Sequence, residues 1–190
     1  VCQFFVFLKK RQVFMHHPLQ YFQFCPHCGS NEFIVNNEKS KKCNNCHFTY
    51  YLNPSAAVVA VVENKNGQIL VARRGKEPAK GTLDLPGGFA DLDECIEESV
   101  CRELKEETGI ETSEVEFLFS IPNNYLYSKM IIPTMDMFFK CTVNDATHYK
   151  AMDDVSELMW INKSELNPDE FGLESIKKGI ERLTKEIDNK

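Results

Sequence analysis

The chain has 190 residues, a formal net charge of -6, a hydrophobic share of 43% and a charged share of 26%. That length and mixture fit one ordinary domain plus a small appendage, with a real core, so disorder is not the default reading. The acidic balance argues against a protein that wraps nucleic acid, which needs clustered lysine and arginine, and no apolar run approaches the roughly 18 residues that cross a bilayer, so neither partner is expected.

At the start, the apolar residues 4–8 are followed by Lys9, Lys10 and Arg11, the reverse of a secretory signal's order. No export signal is read. Residues 1–20 are expected to be an extension, and residues 1–14, ahead of Met15, upstream sequence or an appendage outside the folded unit.

Cys25, Cys28, Cys43 and Cys46 form two C-x-x-C pairs, whereas Cys2, Cys95, Cys101 and Cys141 are scattered. Scattered thiols without an export signal point to a reducing cytoplasm. Each pair lies close to turn formers, Gly29 for the first and Asn44 and Asn45 for the second, so a small unit over residues 21–52 resembles a zinc ribbon. Four thiolates suit tetrahedral Zn²⁺ and leave no open position, which makes a structural ion the expectation. A redox pair or disulfides are the alternative, and His27 and His47 are expected to be bystanders.

Asn53-Pro54 marks a break, and residues 53–190 are expected to form the second domain. The valine-rich residues 56–63 read as a buried strand, Asn66-Gly67 as a tight turn and residues 69–72 as a second strand, together a hairpin. After the turn at Pro86-Gly87-Gly88, the best helix in the chain runs from about Asp93 to the Thr108-Gly109 stop. Residues 115–121, 135–143 and 158–161 read as strands. The tail from Pro168, with Phe171, Ile176, Ile180, Leu183 and Ile187 between charged residues, reads as an amphipathic closing helix. Strands, a helix, more strands and a last helix predict an α/β fold with helices packed on a mixed sheet.

On a helix turning about 100° per residue, Glu103 and Glu107 share a face with Glu106 beside them, while Ile96, Val100 and Leu104 make the adjoining apolar stripe. Carboxylates this close repel, and a divalent cation is the natural compensation. Magnesium prefers oxygen ligands and is usually held by a few carboxylates together with substrate phosphates. Arg102 and Arg74 or Arg73 could orient carboxylates or phosphate oxygens through their planar fork. The bland alternative is a solvated glutamate face. A calcium loop starting at Asp91 and Asp93 is rejected, because Ile96 occupies its glycine position and Arg102 its glutamate position.

Gly88, five residues, Glu94, seven residues, then Arg102-Glu103-Leu104-Lys105-Glu106-Glu107-Thr108-Gly109-Ile110 resembles a complete Nudix box, and the resemblance covers about residues 53–165. It implies an α/β/α sandwich, hydrolysis of nucleoside diphosphates linked to a further group, and dependence on Mg²⁺ or Mn²⁺. Carried over by position, Glu103, Glu106 and Glu107 are the implied metal ligands with the Gly87 carbonyl as a further one, and Glu94 and Arg102 support the site. The implied reaction is attack of an activated water on phosphorus. Asp93 and Leu83 depart from the commoner glycine and tryptophan, which touches loop shape rather than ligands.

A ribbon ahead of such a domain is similar to the layout of NADH pyrophosphatases. Their Ser-Gln-Pro-Trp segment, however, is replaced by Ser120-Ile121-Pro122-Asn123-Asn124-Tyr125, so ADP-ribose, dinucleoside polyphosphates and nucleotide sugars stay open beside NADH. Arg74, Tyr125 and Tyr127 are candidate substrate-binding residues; tyrosines packing at a strand end are the alternative. Asp153, Asp154 and Glu157 are candidates for the base, with Asp154 preferred. The expected partner is a small nucleotide substrate, with a homodimer left open. A regulator that binds nucleotide or nucleic acid without catalysis, and an RNA 5′-end decapping hydrolase, are the competing functions.

Overall fold

The computed structural model describes residues 17–143 and 149–185; the expected extension over residues 1–14 and Ile187 of the closing helix lie outside them. The chain folds as two compact units that divide between Asn53 and Pro54.

The first unit is a small antiparallel sheet of β1 (Phe33–Asn37), β2 (Ser40–Cys43) and β3 (Thr49–Tyr51) in that order. Its core is slight, with Phe33, Cys25 and Cys43 buried together. Each C-x-x-C closes as a tight knuckle: the Gly29 amide donates to the Cys25 carbonyl at 2.9 Å and the His47 amide to the Cys43 carbonyl at 3.0 Å. Gly29 and His47 take positive φ angles of 73° and 62°, so both are needed as turn residues, and this is the place His47 occupies.

The second unit contains β4 (Ser55–Val62), β5 (Gln68–Arg74), β6 (Leu83–Asp84), β7 (Gly87–Phe89), α1 (Ile96–Thr108), β8 (Thr112–Tyr127), β9 (Met130–Val143), β10 (Val155–Asn162) and α2 (Glu174–Lys185). One sheet has the order β7-β4-β9-β8 and the other β10-β5-β6. The first is mixed, since β4 and β9 run parallel while their outer neighbours are antiparallel.

Continuous apolar sequence in β4 reflects burial on both faces. Val58, Ala60 and Val62 join a cluster with Val100 and Leu104 of α1, while Val59 and Val61 join Ile176, Ile180 and Leu183 of α2. Phe139 and Phe138 on β9 divide between the same two clusters, which makes the unit an α/β/α sandwich. Gly179 lets α2 settle on Phe138, whose ring would lie 2.3 Å from any Cβ there.

Three expectations need adjustment. The turn at Asn64–Gly67 forms, but the proposed hairpin keeps only one bridge, Glu63 to Ile69, before its strands part into different sheets. Both edges of β4 are taken by β7 and β9, so β5 pairs elsewhere. The helix starts at Ile96 rather than near Asp93, because Asp93 has φ 63° and Cys95 is the N-cap, its amide donating to Glu98 at 2.9 Å. Its stop at Gly109 falls where glycine predicts it, with φ 75°. Finally, β8 and β9 extend through Pro122 and Pro133 to a tight turn at Ser128 and Lys129; Pro122 is tolerated because β8 is an edge strand.

Candidate active site

Two glycines allow the helix to meet the sheet. Gly87 and Gly88 pair with Val59 and Val58 of β4. A Cβ on Gly87 would stand 2.1 Å from the Val58 carbonyl oxygen, and one on Gly88 would stand 2.5 Å from the Glu103 carboxylate carbon. The bare backbone of β7 thus packs on β4 with one residue and receives Glu103 with the next. The Gly87 amide donates to the Glu107 carboxylate at 2.9 Å, which points that buried side chain at the same spot.

Arg102 holds the rest. Its Nε and Nη2 donate to the two oxygens of Glu94 at 2.9 and 3.0 Å, and its Nη1 donates to Glu103 at 2.8 Å and Glu106 at 3.1 Å. Glu94 also accepts from the Ser99 hydroxyl at 2.7 Å and the Asp91 amide at 3.0 Å. The Arg102 guanidinium, helped by these two donors, draws the Glu94 carboxyl down to about 2. Burial works the other way on the neighbouring ligand candidates. It pushes Glu107 up to about 8, with Asp84, Glu103 and Asp154 adding repulsion, and it raises Glu103 against the pull of Arg102.

These groups open on a cleft of about 330 Å³. Glu103, Glu106, Glu107, Gly87, Arg74, Tyr125, Asp153 and Asp154 all line it. Arg102 and Glu94 lie behind the glutamates as their support. Asp154 is paired with the Lys76 ammonium and accepts the Gly75 amide at its carbonyl at 2.7 Å, while Asp153 takes a positive φ of 48° beside it. Glu157 is not brought in, since on β10 it pairs with Arg73 at 2.8 Å outside the cleft. Tyr127 also stands apart, 62% exposed near the hairpin end. Arg74 reaches the cleft with its nitrogens engaged, by the Pro78 carbonyl at 2.6 Å, Asp84 at 2.5 Å and the Tyr125 hydroxyl at 3.4 Å.

The NUDIX domain family model matches residues 53–183, which is more than half of the chain. The chain belongs to the NUDIX family. The NAD-capped RNA hydrolase NudC of Vibrio atlanticus is 29% identical over 150 residues, 79% of this chain and 53% of that protein. The ADP-ribose pyrophosphatase of Methanocaldococcus jannaschii is 46% identical over 63 residues, 33% of this chain and 37% of that protein. The chain spans about half the length of the curated NudC relatives it matches. The crystal structure of a NUDIX hydrolase from Nitrosomonas europaea superposes with a TM-score of 0.68 at 22% identity, covering 88% of this chain and 93% of that one, which shows the shared fold.

Within the NUDIX domain, sequence reasoning missed five polar residues of the cleft: Asp84, Asp91, Asn123, Thr134 and Asp136. A signal existed. Asp84 interrupts Leu83 and Leu85 within a short apolar stretch, and Asp136 stands two residues before Phe138 on an apolar strand, where alternation calls for an inward side chain. Burial raises Asp84 despite its ion pair with Arg74.

Ahead of the NUDIX domain, the sulfurs of Cys25, Cys28, Cys43 and Cys46 all lie within 4.8 Å of one another. Cys25 faces Cys46, and Cys28 faces Cys43, each pair at 3.7 Å, and all four are free thiols. Such a four-sulfur donor set is consistent with a zinc ribbon, and neither histidine joins it. Among the described residues no helix is long and apolar enough to cross a membrane.

Proposed function

We propose that this chain hydrolyses a diphosphate linkage in a nucleoside diphosphate derivative, with Mg²⁺ or Mn²⁺ held by Glu103, Glu106, Glu107 and the Gly87 carbonyl. One observation carries the reading: acidic groups from the helix, from β6 and from the loop before β10 converge on one cleft, with Glu107 buried among them. Oxygen donors of this kind fit a hard divalent cation and fit neither zinc nor copper well. Bound there, the ion would polarise a phosphoryl oxygen, acidify an attacking water and offset charge on the leaving phosphate.

The chain's own groups do the rest. Arg102 offsets the mutual repulsion of Glu94, Glu103 and Glu106 and fixes their positions, and the Gly87 amide sets the orientation of Glu107. Asp154 takes the proton of the attacking water, its carboxylate held at the cleft by Lys76. Tyr125 offers an aromatic face for a base, and Arg74 fixes that ring more than it binds phosphate, since its nitrogens are already engaged. Residues 21–52 act as a zinc ribbon with a structural ion, and residues 53–190 as the hydrolase domain.

The test is a panel of ADP-ribose, NADH, a diadenosine polyphosphate and NAD-capped RNA with Mg²⁺, read as nucleoside monophosphate or 5′-monophosphate RNA released. The NudC relatives, named for a capped RNA, favour RNA as a second substrate reading despite the acidic balance. Glu106→Gln should lower kcat by about 10²-fold or more while the thermal midpoint stays within a few degrees, because Glu106 is exposed and its support of the fold is small. Turnover of no panel member by folded protein, or full activity in that variant, sinks the reading.

A further inference from the structure

We propose that Asn123 reads the adenine edge of the substrate's nucleobase and so sets base specificity; this rests on the diphosphate hydrolase reading. The case begins with strand alternation. On β8, Pro122, Asn124 and Leu126 are exposed while Ile121, Asn123 and Tyr125 turn inward, and across the ladder Asn123 faces Thr134 and Ile121 faces Asp136. Three inward positions of one hairpin face are therefore polar where packing alone would favour Val or Ile. Removing Asp136 from water is costly unless it is fully bonded. Asp136 is 6% exposed and accepts from the Thr134 hydroxyl at 2.5 Å, the Ser175 hydroxyl at 2.5 Å and the Asn123 amide at 3.2 Å.

The consequence falls on Asn123. Its Nδ2 is turned toward Asp136, and its Oδ1 accepts the Asn124 amide at 2.9 Å, so the side-chain amide cannot flip without losing both bonds. A primary amide has two N–H groups and two lone pairs. Among the described residues one donor and one acceptor remain in a fixed order, at a residue that lines the cleft. That pair matches adenine, whose amino group donates beside a ring nitrogen that accepts. Hypoxanthine and guanine place a carbonyl where the amino group stands, which sets acceptor against acceptor. The flat contact is supplied by Tyr125, edge-on to Phe89 at 5.6 Å between ring centres, and by Leu173 and Ile176, all of which line the same cleft.

The experiment compares kcat/KM with Mg²⁺ for ADP-ribose and its inosine counterpart, and measures AMP and IMP binding by calorimetry. The wild type should prefer adenine about tenfold or more in both readouts. Asn123→Ala should bring the ratio to within about twofold, and Asn123→Gln, which keeps the amide but moves it, should give an intermediate ratio and covers the case of a poorly folded alanine variant. AMP bound no more tightly than IMP by the wild type, or an unchanged ratio in both folded variants, overturns the proposal. No hydrolysis of either nucleotide, with AMP still preferred over IMP, would instead sink the hydrolase reading and leave base recognition standing.

Discussion

The two units gather ligands in opposite ways. In the first, four sulfurs come from two turns of a short segment and close around a single point, with each knuckle fixed by its own backbone hydrogen bond. In the second, oxygens come from a helix, a glycine strand and a distant loop, and they face an open cleft rather than one another. Soft donors that fill every position suit an ion that stabilises a fold, whereas hard donors left open to solvent suit an ion shared with a substrate. The contrast teaches that openness of the donor set, more than the number of donors, separates a structural metal from a reactive one.

The most severe way to break that comparison is Cys43→Ser. The first unit has only a slight core, so its folding should depend on zinc, whose binding in small zinc domains is worth about 10–16 kcal/mol at neutral pH. Zinc content should fall below one per chain and hydrogen exchange across β1, β2 and β3 should lose its protection. Retained protection in zinc-free protein would show that the sheet folds without an ion.

Next come the two glycines, which should fail differently although they are adjacent. Gly87→Ala forces a Cβ against backbone, at 2.1 Å from the Val58 oxygen, and should destabilise the unit by roughly 3 kcal/mol in urea unfolding. Gly88→Ala meets only the end of a glutamate side chain, so the fold should survive while Glu103 is displaced. A displacement near 1 Å costs about 10²-fold in turnover. If both variants lose stability equally, Glu103 is not the group that Gly88 makes room for.

These pairs also explain how far the sequence could be read. The cysteine knuckles and the helix stripe of Val100 and Leu104 follow from spacing alone, because short-range geometry decides them. The stop at Gly109 is equally local, needing only a residue that accepts φ 75°. What stayed hidden depends on register between distant strands. That Asn123 would face Thr134, or that Asp84 would meet Arg74, is fixed by the pairing of β8 with β9 and of β6 with β5. The hairpin expected after β4 failed for the same reason, since local turn chemistry at Asn66-Gly67 was outweighed by the parallel pairing of β4 with β9. Tyr127 was indistinguishable from Tyr125 by type and, two residues along the strand, by face as well; its place opposite Met130 at the hairpin end, beyond the cleft, is what leaves it in solvent.

The smallest expected effect concerns Glu94, which supports the box without facing the cleft. Its carboxyl is drawn to about 2 in the folded chain, first by Arg102 and then by Ser99 and Asp91, against 4.5 for the ordinary group. A depressed folded pKa means that the unfolded chain binds the proton more readily, so the contribution to stability is full above about pH 4.5 and is lost as pH falls toward 2. In Glu94→Gln the neutral amide cannot exploit Arg102 as an ion pair, and stability between pH 4.5 and 2 should fall less steeply than in the wild type. Thermal midpoints taken across that window decide the matter: parallel slopes for the two proteins would mean that Arg102 draws its partner from Glu103 and Glu106 instead, and that Glu94 is a loop anchor alone.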